Sequence, residues 1–105
     1  YTTGSGGTVT QTVSRTSAVT INKTNGAITL LSAAGSTTWQ SFNVNNTTVS
    51  ATDVVIVNQK SGIDLYEIHV TLVTAGGFRI TYRTTGGTTT EQPVFNFAVI
   101  DAVTA

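Results

Sequence analysis

Only a handful of side chains in this sequence can do chemistry. They are His69, the carboxylates Asp53, Asp64, Glu67, Glu91 and Asp101, the phenols Tyr1, Tyr66 and Tyr82, and many Ser and Thr hydroxyls. His69 alternates with Glu67 and Thr71 along "LYEIHVTLVT", so a Glu67–His69 contact on one strand face is geometrically open. The competing reading of His69 is a solvated or interface side chain. "GSGGT" near the start lacks the Gly-x-Ser-x-Gly spacing of a nucleophile elbow. One His and scattered acids give no spaced metal-ligand set, and Asp53 and Asp64 read as turn formers. The Gly-rich stretches at 4–7, 76–77 and 86–87 lack a phosphate-loop lysine and a following helix, which leaves them as turn chemistry. These residues predict a non-enzymatic chain that holds no cofactor and no metal. The Asn22 and Asn46 sequons are matches that an Asn- and Thr-rich chain produces by chance.

Two further features suit contact with a partner. Arg79 and Arg83 flank Thr81 on one face of "FRITYRT", a stripe able to pair with carboxylates or simply to be solvated. Trp39 opposes the inward row of its strand, so it is either an interface anchor or a cap on the edge of the core.

The elements that must position these residues are strands. The chain has 105 residues, 39% of them hydrophobic and 10% charged, with one Pro and no Cys. About a fifth is Thr, a β-branched residue that favours strands over helices. Five basic and five acidic residues cancel to a net charge of zero. No Lys/Arg cluster marks a nucleic-acid partner, no apolar run has membrane-spanning length, and no leader is visible. Low charge leaves little repulsion between copies, which favours association.

Residues 1–7, "YTTGSGG", read as an extended N-terminal arm and residues 8–105 as one domain. "TVTQTVS", "AVTI" and "AITLL" follow, with Asn25-Gly26 predicting a hairpin between the last two. "STTWQSFNV" points Phe42 and Val44 inward and Trp39, Ser41 and Asn43 outward. "DVVIVNQ" predicts a central strand covered on both faces. In Leu65 to Thr74 the inward row is Tyr66, Ile68, Val70 and Leu72. Ala75-Gly76-Gly77 turns the chain into a strand with Phe78, Ile80 and Tyr82 inward. After the loop 84–93, the last strand splits Phe95, Phe97 and Val99 from Val94, Asn96, Ala98 and Ile100, and both faces are partly apolar. About eight strands at this spacing predict a β-sandwich of jelly-roll or Greek-key, Ig-like connectivity.

The strings "YTTGSGGTVTQTVSRTSAVTINKTNGAITLLSAAG", "SATDVVIVNQKSG" and "FNFAVIDAVTA" resemble a group of small all-β proteins and domains encoded among the virion genes of tailed bacteriophages. The resemblance rests on turn phrases and strand order. It implies a capsid (head) decoration protein, assembled in the bacterial cytoplasm and seated on the capsid exterior. Its implied partners are the major capsid protein and further copies of itself, as a homotrimer. Tyr1, Thr2, Thr3 and Gly4 of the arm, with Trp39, Arg79 and Arg83, are then the candidate capsid or subunit contacts. The other context in which such modules occur, a receptor- or glycan-binding module of a fibre, would present the loops 47–52 and 84–92 beside Tyr82 or Trp39.

Overall fold

The alternating rows read from the sequence must bury one face each, and two sheets packed face to face let them do so. The computed structural model describes residues 7–100, and every element among them is a strand. In chain order these are β1 (Thr8–Thr10), β2 (Val19–Thr20), β3 (Asn25–Thr29), β4 (Ala33–Ala34), β5 (Gln40–Asn45), β6 (Val54–Ser61), β7 (Tyr66–Thr74), β8 (Gly77–Thr84), β9 (Thr90–Glu91) and β10 (Val94–Ile100). One sheet runs β1-β3-β10-β6, the other β2-β5-β8-β7, and β4 and β9 form a small third ladder at one end. The all-β sandwich expected from the alternation is the fold observed, with eight strands in its two layers. Within these two sheets the pairs β1–β3 and β2–β5 are parallel and the other four are antiparallel.

The core lies between the layers. Phe42, Val44, Phe78, Ile80 and Tyr82 from one sheet meet Ile28, Phe95, Phe97 and Val99 from the other, all buried. Phe42, Tyr66, Tyr82 and Phe95 make a chain of tilted and edge-on ring contacts with centroids 5.6–6.5 Å apart. Such contacts each add roughly 0.5–1.5 kcal/mol beyond area burial. β7 and β8 form the predicted hairpin, closed by Ala75-Gly76 between paired Thr74 and Gly77. Gly76 takes φ of 92°, a conformation only glycine adopts freely.

Three sequence expectations are corrected. Asn25-Gly26 makes no hairpin: both residues lie inside β3, paired with Ala98 and Phe97 of β10, and β2 belongs to the other sheet. The glycine is needed instead for close approach, since a Cβ on Gly26 would sit 2.7 Å from the Gly7 carbonyl oxygen and 2.9 Å from Ile21 Cδ1. β6 is an edge strand, not a central one, with Val54 and Ile56 each 51% exposed. Its apolar run comes from an outer row that nothing covers among the described residues. Leu72 points outward because β7 bulges at Thr71: Val70 pairs with Ile80 and Leu72 with the very next residue, Arg79. The extra residue flips the alternation and brings Val73 inward. β10, partly apolar on both faces, buries Phe95, Phe97 and Val99 and leaves Ile100 exposed on the other side.

One end of the sandwich is organised by a buried cation. Arg15, 5% exposed, projects from the β1–β2 loop. Its Nε donates to the Leu31 carbonyl at 2.8 Å, and its Nη2 donates to the carbonyls of Ala33 at 2.6 Å and Glu91 at 2.7 Å. Nη1 reaches the Tyr66 hydroxyl at 3.4 Å, and that hydroxyl donates to Glu91 Oε1 at 3.2 Å. The Arg15 carbonyl accepts from Tyr82 Oη and Gln11 Nε2, both at 2.9 Å. A guanidinium out of water needs its donors filled, and here the segment after β3, the β4–β9 ladder and Tyr66 of β7 fill them.

Replacing Arg15 with Met is therefore expected to cost about 3 kcal/mol in urea unfolding, since three part-buried carbonyls lose a charged donor. A second prediction concerns alkali. Burial raises the phenol pKa of Tyr82, and of Tyr66, above the ordinary 10.0, and the Arg15 charge offsets this in part. Both phenols hold their protons more tightly when folded, so their contribution to stability is complete below about pH 10 and falls as the pH rises past it. The tyrosinate absorbance lost in Tyr82→Phe should appear only above the range of a free phenol, together with unfolding.

Candidate functional site

The outer face of the β2-β5-β8-β7 sheet gathers the side chains that sequence analysis singled out. Antiparallel register sets Gln40 opposite Tyr82 and Arg83 opposite Glu67, so Trp39, one residue before β5, falls beside Arg83. One row reads Trp39, Arg83, Glu67; the next Ser41, Thr81, His69; the third Asn43, Arg79 and the bulge at Thr71. β-pleating alone puts these residues on one side while Phe42, Ile80 and Tyr82 fill the core.

The Arg83 guanidinium carbon lies 4.5 Å from the centroid of the Trp39 ring. Its Nη2 donates to both Glu67 oxygens at 3.3 Å. Arg83 Nε is buried with no hydrogen-bond partner, and the indole beside the guanidinium supplies π density in place of an acceptor. The His69 ring tilts against Trp39 at 5.7 Å. A ladder of hydroxyls continues from there: Thr81 Oγ1 donates to Ser41 at 3.3 Å and meets Thr71 Oγ1 at 2.8 Å, which accepts from Arg79 Nε at 2.9 Å. The face is thus pre-ordered by its own contacts although half of it is exposed. An Arg–Glu pair this solvated contributes no more than about 1 kcal/mol to folding.

Trp39 is 44% exposed and lies outside the core cluster. Arg79 and Arg83 share the outer face as expected. Each already has a partner within the chain, Thr71 and Glu67, so the stripe is not a pair of free cations. His69 is exposed and its ring contacts Trp39; the Glu67 carboxylate engages Arg83 instead. Tyr1, Thr2, Thr3 and Gly4 lie outside the described residues. Gly7, at the end of the expected arm, already belongs to the sheet edge, because its carbonyl accepts from Ala27 N–H at 2.9 Å.

The remaining candidates resolve into structural roles. Asp53 accepts from the Ser50 N–H and hydroxyl, and Asp64 from the Thr89 N–H and hydroxyl, each at 2.9 Å. Asn46 is 1% exposed and its amide donates to the Lys23 carbonyl, so that sequon has no accessible nitrogen. Tyr82, expected to flank a sugar-binding loop, is 1% exposed, because its ring faces the core. A depression of about 390 Å³ opens on the other sheet beside Gly7, Asn25, Lys60 and Asn96, with a single charged side chain in its lining. Among the described residues no three His, Cys, Asp or Glu side chains form a metal-holding group.

Sequence reasoning missed Arg15 and the Trp39–His69 contact. The signal for Arg15 was its isolation, as the only arginine before residue 79, in a loop of Thr and Ser. Searches against protein-family models, curated proteins and solved structures return no match to this chain.

Arg83→Ala should leave the unfolding free energy within about 1 kcal/mol of wild type, as expected for a half-exposed pair. It should also raise acrylamide quenching of Trp39, the sole tryptophan. Unchanged quenching would mean that Arg83 does not cover the indole.

Proposed function

We propose that this chain is a non-enzymatic structural module of a tailed-phage virion, a decoration protein that binds the exterior of the capsid shell and stabilises it. The observation that carries the reading is the outer face of β5, β8 and β7, where a half-exposed Trp39 is held by Arg83 and His69 on a hydroxyl-lined surface. Trp and Arg are the residues that most often dominate binding energy at protein contacts, and a pre-ordered pair loses little entropy on docking. The face mixes both charge signs, and the chain is neutral overall. Such a surface suits a protein shell better than packaged nucleic acid. The sequence resemblance supports the same reading and names the major capsid protein as the partner. A protein that binds the assembled shell and not its free subunits stabilises the shell by mass action.

The half-exposed indole beside Glu67, His69 and three hydroxyls also favours a second reading, in which the same face stacks on a sugar ring of a host glycan. In a fibre module this face, rather than the loops, would be the binding surface.

Titrating purified shells stripped of the protein separates the two. Trp39→Ala and Arg83→Glu, checked by thermal unfolding to be folded, should bind about tenfold or more weakly than wild type, as for a hot-spot truncation. Full occupancy by both variants would contradict docking through this face. Glycan-array binding that depends on Trp39, with no shell binding, would select the fibre reading.

A further inference from the structure

The two sheets differ in how their long edges are protected. An edge strand exposes unpaired N–H and C=O groups, and proteins blunt it with charge, bulges or brevity. β1 and β2 are three and two residues long. β7 is long but bulges at Thr71 and carries Glu67 and His69 on its outer row. β6 has eight residues, and its only irregularity lies at its far end, where Ser61 and Gln59 pair with consecutive residues of β10 and Lys60 is the extra residue. Gln59 covers that same end, its side chain bonded to the Tyr66 N–H and the Asp64 carbonyl. From Val54 to Asn58 the edge has no bulge, no charge and no neighbouring strand on its outer side among the described residues.

The outer row beside this edge is apolar. Val54 and Ile56 are each 51% exposed and Ile100, paired with Val54, is 45% exposed. Ala98 pairs with Ile56 and extends the row onto β10. β10 and β3 carry no charged residue, so Lys60 is the one charge that β3, β10 and β6 contribute.

We propose that β6 is a self-association edge, through which two copies of this chain pair antiparallel along Val54 to Asn58 and join their β1-β3-β10-β6 sheets into one. The choice of a second copy follows from charge. Antiparallel pairing of a strand with its own twin sets the residue on the two-fold axis opposite its own copy and keeps its neighbours within two positions near theirs, so a charge in that stretch would meet a like charge. The stretch from Val54 to Asn58 is the long edge where that cost vanishes. Centred on Ile56, the pairing sets Ile56 against Ile56 of the second copy and Val54 against Asn58, with Lys60 beyond the paired stretch. The exposed row of Val54, Ile56 and Ile100 then continues across the two-fold axis, with Ile56 packed side by side against its own copy. This interface lies on the sheet opposite the Trp39 face, so it is independent of the docking reading and leaves that face free.

Sedimentation equilibrium of the intact chain tests it, with Ile56→Lys as the disrupting variant and Ile56→Cys as the register probe. The chain has no cysteine of its own, so any disulfide formed is between copies. The expected result is a mass of two chains at high micromolar concentration and a self-association constant weakened about tenfold or more in Ile56→Lys, which removes apolar contact and faces a like charge. Ile56→Cys should link into a covalent dimer under mild oxidation, while Leu72→Cys, equally exposed on β7, should not. A single-chain mass at every concentration, a mass of three chains, or a dimer that persists in folded Ile56→Lys would each overturn the proposal.

Discussion

A guanidinium taken out of water tolerates few arrangements, and the fold at one end of this sandwich is arranged to satisfy Arg15. Its donors end on the carbonyls of Leu31, Ala33 and Glu91, and its own carbonyl accepts from Tyr82 and Gln11. Those partners span the β1–β2 loop, the segment after β3, the β4–β9 ladder and a core strand of the opposite sheet. Segments with little apolar content, 11–18 and 31–36, are thereby fixed without a helix or a disulfide. A chain with so few charges spends one of its three arginines on this internal task.

The two outer faces differ in character. On the β8 side the rows are polar, with hydroxyls and an Arg–Glu pair around one indole, and their mutual contacts order the surface before any partner arrives. On the β6 side Val54, Ile56, Ala98 and Ile100 make a short apolar patch, with one lysine at the margin. In the proposed arrangement a shell partner meets the first face and a second copy meets the second. The bulge at Thr71 serves this division, since it bends β7 and turns Leu72 outward, which spoils the β7 edge for pairing while β6 stays regular.

Much of this was legible in the sequence because period-two alternation is a local signal. The inward rows Phe42/Val44, Phe78/Ile80/Tyr82 and Phe95/Phe97/Val99 followed directly from it, as did the Ala75-Gly76 turn and the outward set of Trp39, Arg79 and Arg83. What failed depended on distant chain. Asn25-Gly26 carried the local signature of a hairpin, but Gly26 answers to the crossing of Gly7, a contact no window around residue 26 contains. β6 looked doubly covered because Val54 to Val57 is continuously apolar; whether a neighbour covers the outer half is a property of strand order. The bulge at Thr71 shifted parity by one residue and misplaced Leu72 alone. Arg15 was passed over because a single charge in a Ser/Thr loop looks solvated until the carbonyls that surround it are assembled from residues 31, 33 and 91.

The decoration role is tested most directly by the copy number of this chain in purified virions, measured by quantitative mass spectrometry against the major capsid protein. A protein that covers the lattice gives a count comparable with that of the capsid protein. A few copies per particle, or none, would contradict the role and leave the Trp39 face to another partner.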